Sequence, residues 1–189
     1  MNTRAIVPGS LSAIAERDGM SVAESFLSAD AICIVDVSGS MDDRDARGSQ
    51  RRYDVACQEL RQLQAEMPGR VAVVAFSDTV QFCPGGVPPF LGGSTDLAAA
   101  LLFAIAADGT VRFIVISDGR PDSPEDALRV ARAMTSKIDT IFVGPEDDQG
   151  GGRKFLADLA AARGGRHVVA AKAAALAEKA QSLMLTAGA

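Results

Sequence analysis

Residues 31–41 read Ala-Ile-Cys-Ile-Val-Asp-Val-Ser-Gly-Ser-Met, an apolar run that ends in one carboxylate and two hydroxyls. A short continuous apolar run is typical of a strand that is buried on both faces in a parallel sheet. Asp36, Ser38 and Ser40 follow at alternating positions, and Gly39 relieves the steric limit on the turn between the serines. The stretch therefore predicts a buried strand whose end directs three oxygen groups towards a common centre.

The same kind of signal alternates with helical patterns along the chain. Similar apolar runs predict strands at 71–76, 111–116 and 140–143, and shorter runs predict edge strands at 80–83 and 167–170. Helical patterns lie at 51–66, 95–106, 124–136, 153–162 and 171–184. Because strands that alternate with helices indicate βαβ units, we predict an α/β fold. Its open, doubly wound, Rossmann-like sheet is expected to be mostly parallel, with one short antiparallel edge strand and helices on both faces.

Length and composition indicate one globular domain. The chain has 189 residues, and 48% of them are hydrophobic, which is enough for one buried core. Before the first strand, apolar positions between residues 10 and 28 are split by Asp18-Gly19 and predict two short helical turns. We therefore expect residues 1–29 to form a helical extension that packs on a main domain formed by residues 30–189.

Charge and hydropathy exclude several function classes. The net charge of -5 lacks the basic character that a nucleic-acid partner requires. No run approaches the roughly 20 apolar residues that span a bilayer, and the N-terminus lacks the features of a signal peptide. Cys33, Cys57 and Cys83 are odd in number and widely spaced, so they predict buried thiols and no zinc site. A cytoplasmic protein without nucleic-acid or membrane partners is expected.

The candidate site combines the ends of two predicted strands with one intervening loop. Doubly wound sheets bind ligands at the carboxyl ends of strands, where the strand order reverses. Asp118 follows the strand predicted at 111–116, and the loop Gly92-Gly93-Ser94-Thr95-Asp96 supplies a further hydroxyl. Oxygen ligands of this kind suit hard cations, with Mg²⁺ as the first choice and Mn²⁺ or Ca²⁺ as alternatives. The predicted ligands are Asp36, Ser38, Ser40, Thr95 and Asp118.

These residues resemble the metal-ion-dependent adhesion site of the von Willebrand factor type A family, which combines a DxSxS motif with a later Thr and a later Asp. The resemblance covers roughly residues 30 to 185. Further similar segments are Tyr53-Asp54-Val55-Ala56, Phe76-Ser77-Asp78, Ser117-Asp118-Gly119-Arg120-Pro121, and Leu159 through Gly165 with His167.

The resemblance implies a non-catalytic, protein-binding module. Ser38, Ser40 and Thr95 would contact the metal as neutral ligands, while Asp36 and Asp118 would act mainly through bound water. An Asp or Glu of a protein partner would then complete the coordination, so that binding is lost on chelation. The resemblance also points to a partner system with a MoxR-type AAA+ ATPase, beside which cytosolic bacterial members of the family often act.

Two features of the site region leave alternatives open. Ser94, Thr95 and Asp96 can each cap the following helix, although Thr95 is preferred as a ligand and Asp96 as a first-turn charge. The loop 41–50 is longer and more charged than the family's short versions. Asp42, Asp43 or Asp45 could bind a second ion or block the partner's position, but a solvated loop is favoured.

Two other functions are alternatives to the binding module. A Mg²⁺-dependent phosphohydrolase of the haloacid dehalogenase type would need a second Asp where Ser38 stands and a lysine in a later loop, and neither is evident. A scaffold with a vestigial metal site is the other alternative. His167, the one histidine, receives no role. Arg120, Asp122 and the Arg51-Arg52 pair are expected to be surface charges.

Overall fold

The computed structural model describes residues 6–170, and the predicted helix at 171–184 lies outside them. One six-stranded sheet has the strand order β3-β2-β1-β4-β5-β6. Only β3 runs antiparallel to its neighbour among these six strands. The strands are β1 (Ala31–Asp36), β2 (Val71–Phe76), β3 (Val80–Phe82), β4 (Arg112–Ser117), β5 (Ile138–Phe142) and β6 (His167–Val169).

Helices cover both faces of this sheet. Cys33 and Val35 of β1 lie in one core with helix α3, whereas Ile32 and Ile34 lie in a second core with α4, α5 and α6. This division follows from the alternation of side chains along a strand. The doubly wound α/β fold predicted from the sequence is confirmed. The helices are α1 (Leu11–Asp18), α2 (Val22–Leu27), α3 (Arg52–Glu66), α4 (Leu97–Ala104), α5 (Pro124–Ala133) and α6 (Gly152–Ala162).

The first two helices precede the sheet and pack against it. Gly19 ends α1 in the left-handed conformation at φ 67°, which separates the two helices at the predicted position. Leu11 of α1 is buried in the second core, and Phe26 of α2 meets Phe82 of β3 edge to face at 5.6 Å. These contacts attach the helices to the sheet, while the domain boundary at residue 29 stays a prediction.

Some predicted boundaries are wrong, and one has a clear physical reason. Helix α5 ends at Ala133, three residues before the predicted end. The Asp108 carboxylate accepts hydrogen bonds from the N–H groups of Thr135 and Ser136, at 2.7 and 2.8 Å. Because these N–H groups are bound to Asp108, they cannot continue the helix. Strand β5 accordingly begins earlier than predicted, at Ile138.

The sequence predicts buried cysteines and no membrane-spanning run, and the structure can be compared with both predictions. Cys33 and Cys83 are buried, and Cys57 is half-buried. Burial raises the pKa of the Cys33 thiol. No helix formed by residues 6–170 is both long and apolar enough to cross a membrane.

The carboxyl ends of β1 and β4 are adjacent and define the functional edge of the sheet. The chain leaves β1 through a 3-10 turn (Gly39–Asp42) towards α3 on one face, and it leaves β4 towards α5 on the other. The strand order therefore reverses between these two strands, which is where doubly wound sheets hold ligands.

Candidate metal centre

Asp36 is the last residue of β1 and lies fully buried between the two strand ends. Its Oδ2 accepts a hydrogen bond from the Ser117 hydroxyl of β4 at 2.6 Å, and its Oδ1 accepts one from the Ser38 N–H at 3.0 Å. In the part of the chain that the structure describes, no positively charged side chain is bonded to Asp36. A buried carboxylate that only neutral donors contact suits a cation as its further partner.

The two serines of the motif face each other beside this carboxylate. Ser38 is fully buried, and its hydroxyl lies 3.4 Å from that of Ser40. The N–H of Gly39 donates to the Gly93 carbonyl at 2.9 Å, and a Cβ at Gly39 would lie 3.2 Å from the same oxygen. A glycine therefore allows the loop after β1 to approach the loop before α4.

Thr95 contacts the loop after β4 through its backbone. It is 6% exposed, its N–H donates to the Asp122 carboxylate at 3.0 Å, and its carbonyl accepts from the Asp122 N–H at 3.0 Å. Asp96 caps α4 by accepting from the Ala99 N–H at 2.9 Å. The prediction that Asp96 is a first-turn charge is therefore wrong, because Asp96 is the N-cap of α4. Since Asp96 caps the helix, Thr95 does not have the capping role that competed with its role as a ligand.

Asp118 is the first residue after β4 and is buried at 1% exposure. Its Oδ1 accepts from the Arg120 N–H at 3.2 Å, and its Oδ2 accepts from Nη1 of Arg52 at 2.7 Å. The two candidate carboxylates therefore differ, because Asp118 already has a cationic partner and Asp36 does not.

Arg52 is the residue of this site that the sequence analysis missed. It was expected to be a surface charge, but it is 1% exposed, so that prediction is wrong. Its Nε and Nη2 donate to the two carboxylate oxygens of Asp45 at 2.7 and 2.5 Å. Its Nη1 contacts Asp118 and also donates to the Ser40 carbonyl at 3.1 Å. One guanidinium thus joins the loop after β1 to the loop after β4.

The acidic loop pairs with arginines. Asp42 lies 2.5 Å from Arg51, and Asp43 lies 3.2 Å from Arg52, in addition to the Asp45 pair. Residues 42–45 are exposed, as expected of a solvated loop, and the ion pairs hold the three aspartates of this loop in place. Within residues 6–170, no group of three or more His, Cys, Asp or Glu side chains is placed to hold a metal ion. The hypothesis of a second ion in this loop therefore gains no support.

The electrostatics of the two carboxylates follow from burial and neighbouring charges. Burial raises the pKa of Asp36, the Asp118 carboxylate raises it further, and hydrogen bonds from Ser117 and Ser38 offset this only in part, which leaves it at about 6. Burial lowers the pKa of Arg52, but Asp45, Asp118 and Asp43 outweigh that effect and raise it above its usual range. Arg52 is therefore a permanent charge.

The donor set fits a hard divalent cation. Two hydroxyls and one carboxylate lie together at the end of β1, the Asp118 carboxylate is close enough to act on Asp36, and all of these donors are oxygens. Oxygen-only sets of this kind are preferred by Mg²⁺, Mn²⁺ and Ca²⁺. The set contains only two carboxylates, so it depends on the hydroxyls.

A hydrolase could use a serine such as Ser38 with a histidine such as His167, but both side chains have other partners. Nδ1 of His167 lies 2.9 Å from the Thr140 hydroxyl, which itself donates to the Leu156 carbonyl at 3.0 Å. Ser38 pairs with Ser40, and no histidine contacts it among the described residues. Neither contact provides the base that a serine nucleophile needs.

Comparisons with solved structures identify the fold. An aerotolerance-related membrane protein from Bacteroides fragilis aligns with a TM-score of 0.67 at 16% identity, over 80% of this chain and 96% of its own. The manganese-loaded TRAP protein of Plasmodium vivax aligns with a TM-score of 0.56 at 17% identity, over 79% and 71%. A von Willebrand factor type A protein from Catenulispora acidiphila aligns with a TM-score of 0.53 at 18% identity, over 80% and 42%.

Comparisons of sequence give no corresponding match. A scan against models of protein families finds none that fits this chain, and a search of curated proteins finds no relative. The structural similarity, together with the six-stranded sheet and its single antiparallel strand among the described residues, is decisive for the fold. The chain has a von Willebrand factor type A fold.

Proposed function

We propose that this chain is a non-catalytic protein-binding module that holds one divalent cation, with Mg²⁺ as the first choice. Asp36, Ser38, Ser40, Thr95 and Asp118 would hold the cation. When bound, the cation supplies a Lewis acid that an Asp or Glu side chain of a partner protein can reach. Recognition would then require both the metal and the acidic side chain.

The observation that carries this proposal is the group of oxygens at the end of β1. The Ser38 and Ser40 hydroxyls face each other at 3.4 Å beside a buried Asp36 carboxylate that neutral donors alone contact. The second carboxylate, Asp118, follows the adjacent parallel strand. Mostly neutral ligands leave a cation electrophilic, which favours binding of an anionic partner group.

The structural neighbours support the same type of function. The Plasmodium vivax neighbour contains manganese, which shows that this fold accepts a divalent cation in that protein. For the present chain, we extend the proposal to a cytoplasmic location and to a MoxR-type AAA+ ATPase system as the first partner to test. Both extensions rest on the resemblance of the DxSxS motif and on the cysteine content.

Metal binding is tested by calorimetry and by electron paramagnetic resonance with Mn²⁺. We expect one site in the unmodified chain and its loss in Ser38→Ala, while the circular dichroism spectrum stays unchanged. Ser77→Ala is the matched control, because Ser77 is also fully buried after a neighbouring strand but hydrogen-bonds to Asp78. Equal Mn²⁺ binding by Ser38→Ala and the unmodified chain would contradict the proposed ligand set.

Partner binding is tested with a purified MoxR-type ATPase from the same genome. Binding is expected in Mg²⁺, and it should be lost in EDTA and in the Ser38→Ala variant. Binding that survives both changes would show that the contact is not bridged by a metal.

A metal-free scaffold is the second candidate, and the Arg52 contact favours it. A guanidinium 2.7 Å from Asp118 already supplies one positive charge to the site. If calorimetry and resonance detect no Mn²⁺ at millimolar concentration, the scaffold hypothesis replaces the metal-bridged one.

A further inference from the structure

Arg52 contributes a fixed positive charge beside the proposed cation. Its Nη1 lies 2.7 Å from Oδ2 of Asp118, and both groups are buried at 2% and 1% side-chain exposure. The contact is therefore poorly screened by water and by salt. Counting Asp36, Asp118 and Arg52, the innermost charges of the site add up to one negative charge.

The orientation of Arg52 is fixed from outside the site. Asp45 engages the guanidinium through two parallel hydrogen bonds, at 2.7 and 2.5 Å, a geometry that specifies the orientation of the planar group. As a result, one nitrogen contacts Asp118, the Ser40 carbonyl and, at 3.2 Å, the exposed Asp43 carboxylate. The Asp45 carboxylate is 39% exposed, so it lies outside the buried site. Its negative charge offsets part of the positive charge of Arg52.

From these contacts we infer that Arg52 weakens intrinsic binding of the cation and strengthens binding of an acidic ligand to the site. The inference rests on the proposed function. With a divalent cation, the innermost charge becomes positive by one, and a carboxylate ligand restores neutrality. Without Arg52, the cation alone would neutralise the site, and the carboxylate would add an uncompensated charge.

Linkage makes the inference measurable from either ligand. If a carboxylate raises the affinity for the cation, then the cation raises the affinity for the carboxylate by the same factor. Acetate can therefore serve as the probe in place of a partner. Removal of one positive charge beside a divalent ion changes its affinity by roughly tenfold or more.

The first experiment compares Mn²⁺ affinity in Arg52→Met and Asp45→Asn with the unmodified chain. We expect Arg52→Met to bind Mn²⁺ roughly tenfold more tightly, because the repelling charge is gone. Asp45→Asn should bind it roughly threefold more weakly, because the charge of Arg52 is then less compensated. A merely structural role for the pair would weaken binding in both variants, so the opposite signs are diagnostic.

The neighbouring ion pair of Arg51 with Asp42 provides matched controls. Arg51 and Asp42 form an ion pair at 2.5 Å, and Arg51 lies over the Phe90 ring with no bond to a candidate ligand. Arg51→Met and Asp42→Asn therefore make the same changes in charge outside the site. They should change the Mn²⁺ affinity by less than the corresponding Arg52 and Asp45 variants.

The second experiment repeats the Mn²⁺ titrations in sodium acetate and in sodium chloride at equal ionic strength. Acetate should increase the affinity of the unmodified chain for Mn²⁺, and this increase should be smaller in Arg52→Met. If Arg52→Met does not fold, Asp45→Asn and Arg52→Lys decide, since Arg52→Lys retains the charge and should stay within about threefold of the unmodified affinity.

The outcomes separate this inference from the proposed function. If the unmodified chain binds Mn²⁺ and Arg52→Met binds it equally or more weakly, the inference is overturned while the proposed function stands. If only Arg52→Met binds Mn²⁺, the weakening of cation binding by Arg52 is supported, but the part of the inference that concerns the acidic ligand fails together with the proposed function. If neither binds, both fail.

Discussion

Protonation of Asp36 is expected to control the stability of the metal-free protein. Its pKa rises from 3.8 to about 6 on folding, chiefly because of burial and secondly because of Asp118. The difference is about two pKa units, and at about 1.4 kcal/mol per unit it corresponds to about 3 kcal/mol of unfolding free energy. Below pH 3.8, Asp36 is protonated in both states and this contribution is fully present. As the pH rises to 6 and beyond, the folded protein loses it.

The assay is denaturant unfolding in EDTA between pH 4 and pH 8, with Asp36→Asn as the comparison. Asparagine retains the oxygen that accepts from the Ser38 N–H, and its NH2 group can donate to the Ser117 hydroxyl, which then accepts, while the side chain carries no charge. We expect the variant to be more stable than the unmodified chain at pH 7.5, by up to about 3 kcal/mol, and to lose this advantage towards pH 4. Carboxyl groups that do not interact with Asp36 titrate alike in both proteins, so their effects cancel in the difference.

A divalent cation should cancel most of this difference in stability. At pH 7.5 with Mg²⁺ at one hundred times its dissociation constant, the unmodified chain should gain about 2.7 kcal/mol, and Asp36→Asn should gain little. The reasoning is refuted if the stability difference between the two proteins in EDTA is independent of pH, or if Asp36→Asn is the less stable protein at pH 7.5.

Three further predictions concern stability and the loops that form the site. Asp108→Ala should lower the unfolding free energy by about 2 kcal/mol, because the Asp108 carboxylate accepts three hydrogen bonds. The pKa of Asp108 is lowered to about 2, so the unmodified chain loses stability in acid, and the variant should lack that loss. A change in unfolding free energy below about 0.5 kcal/mol would contradict this prediction. Gly119→Ala should destabilise the protein more than Gly151→Ala, since both have φ 74° but only a Cβ at Gly119 meets backbone, at 2.2 Å; equal losses would argue against the steric reason. Asp96→Ala should remove the N-cap of α4 and lower the unfolding free energy by about 1 kcal/mol. Thr95→Ala should weaken Mn²⁺ binding and have less effect on stability. The opposite pattern in the unfolding curves and titrations would assign the capping role to Thr95.

The fold was predictable because its strands carry a strong local signal. β1 and β2 are buried at every position, and their sequences are continuous apolar runs except for Asp36 at the end of β1. The Asp36 motif follows such a run directly, and Asp118 follows another, so knowledge of the sheet class suffices to bring the two carboxylates together. The hydroxyl contact of Ser38 with Ser40 likewise follows from their separation by a single glycine.

The charge of Arg52 predicts exposure, whereas its position in the helical period predicts burial. On α3, the apolar residues Val55, Ala56, Leu60 and Leu63 are buried, and helical spacing places Arg52 on the same face. A buried arginine on that face requires acidic partners, and the nearby acidic loop contains them. That Asp118 would be one of these partners depends on the approach of two distant loops, which local sequence does not encode.

The long loop after β1 and the buried arginine are therefore two parts of one arrangement. Arg47 and Ser49 flank a tight turn in the left-handed region at φ 34° and 67°, which is unfavourable for residues other than glycine. Arg47 is held there by Glu59 of α3, and the turn leads the chain back into Arg51 and Arg52. A shorter loop would lack Asp45, and without its two hydrogen bonds the guanidinium would have no fixed direction towards Asp118 and Ser40. The loop thus fixes the position of the positive charge that the site holds before any cation binds.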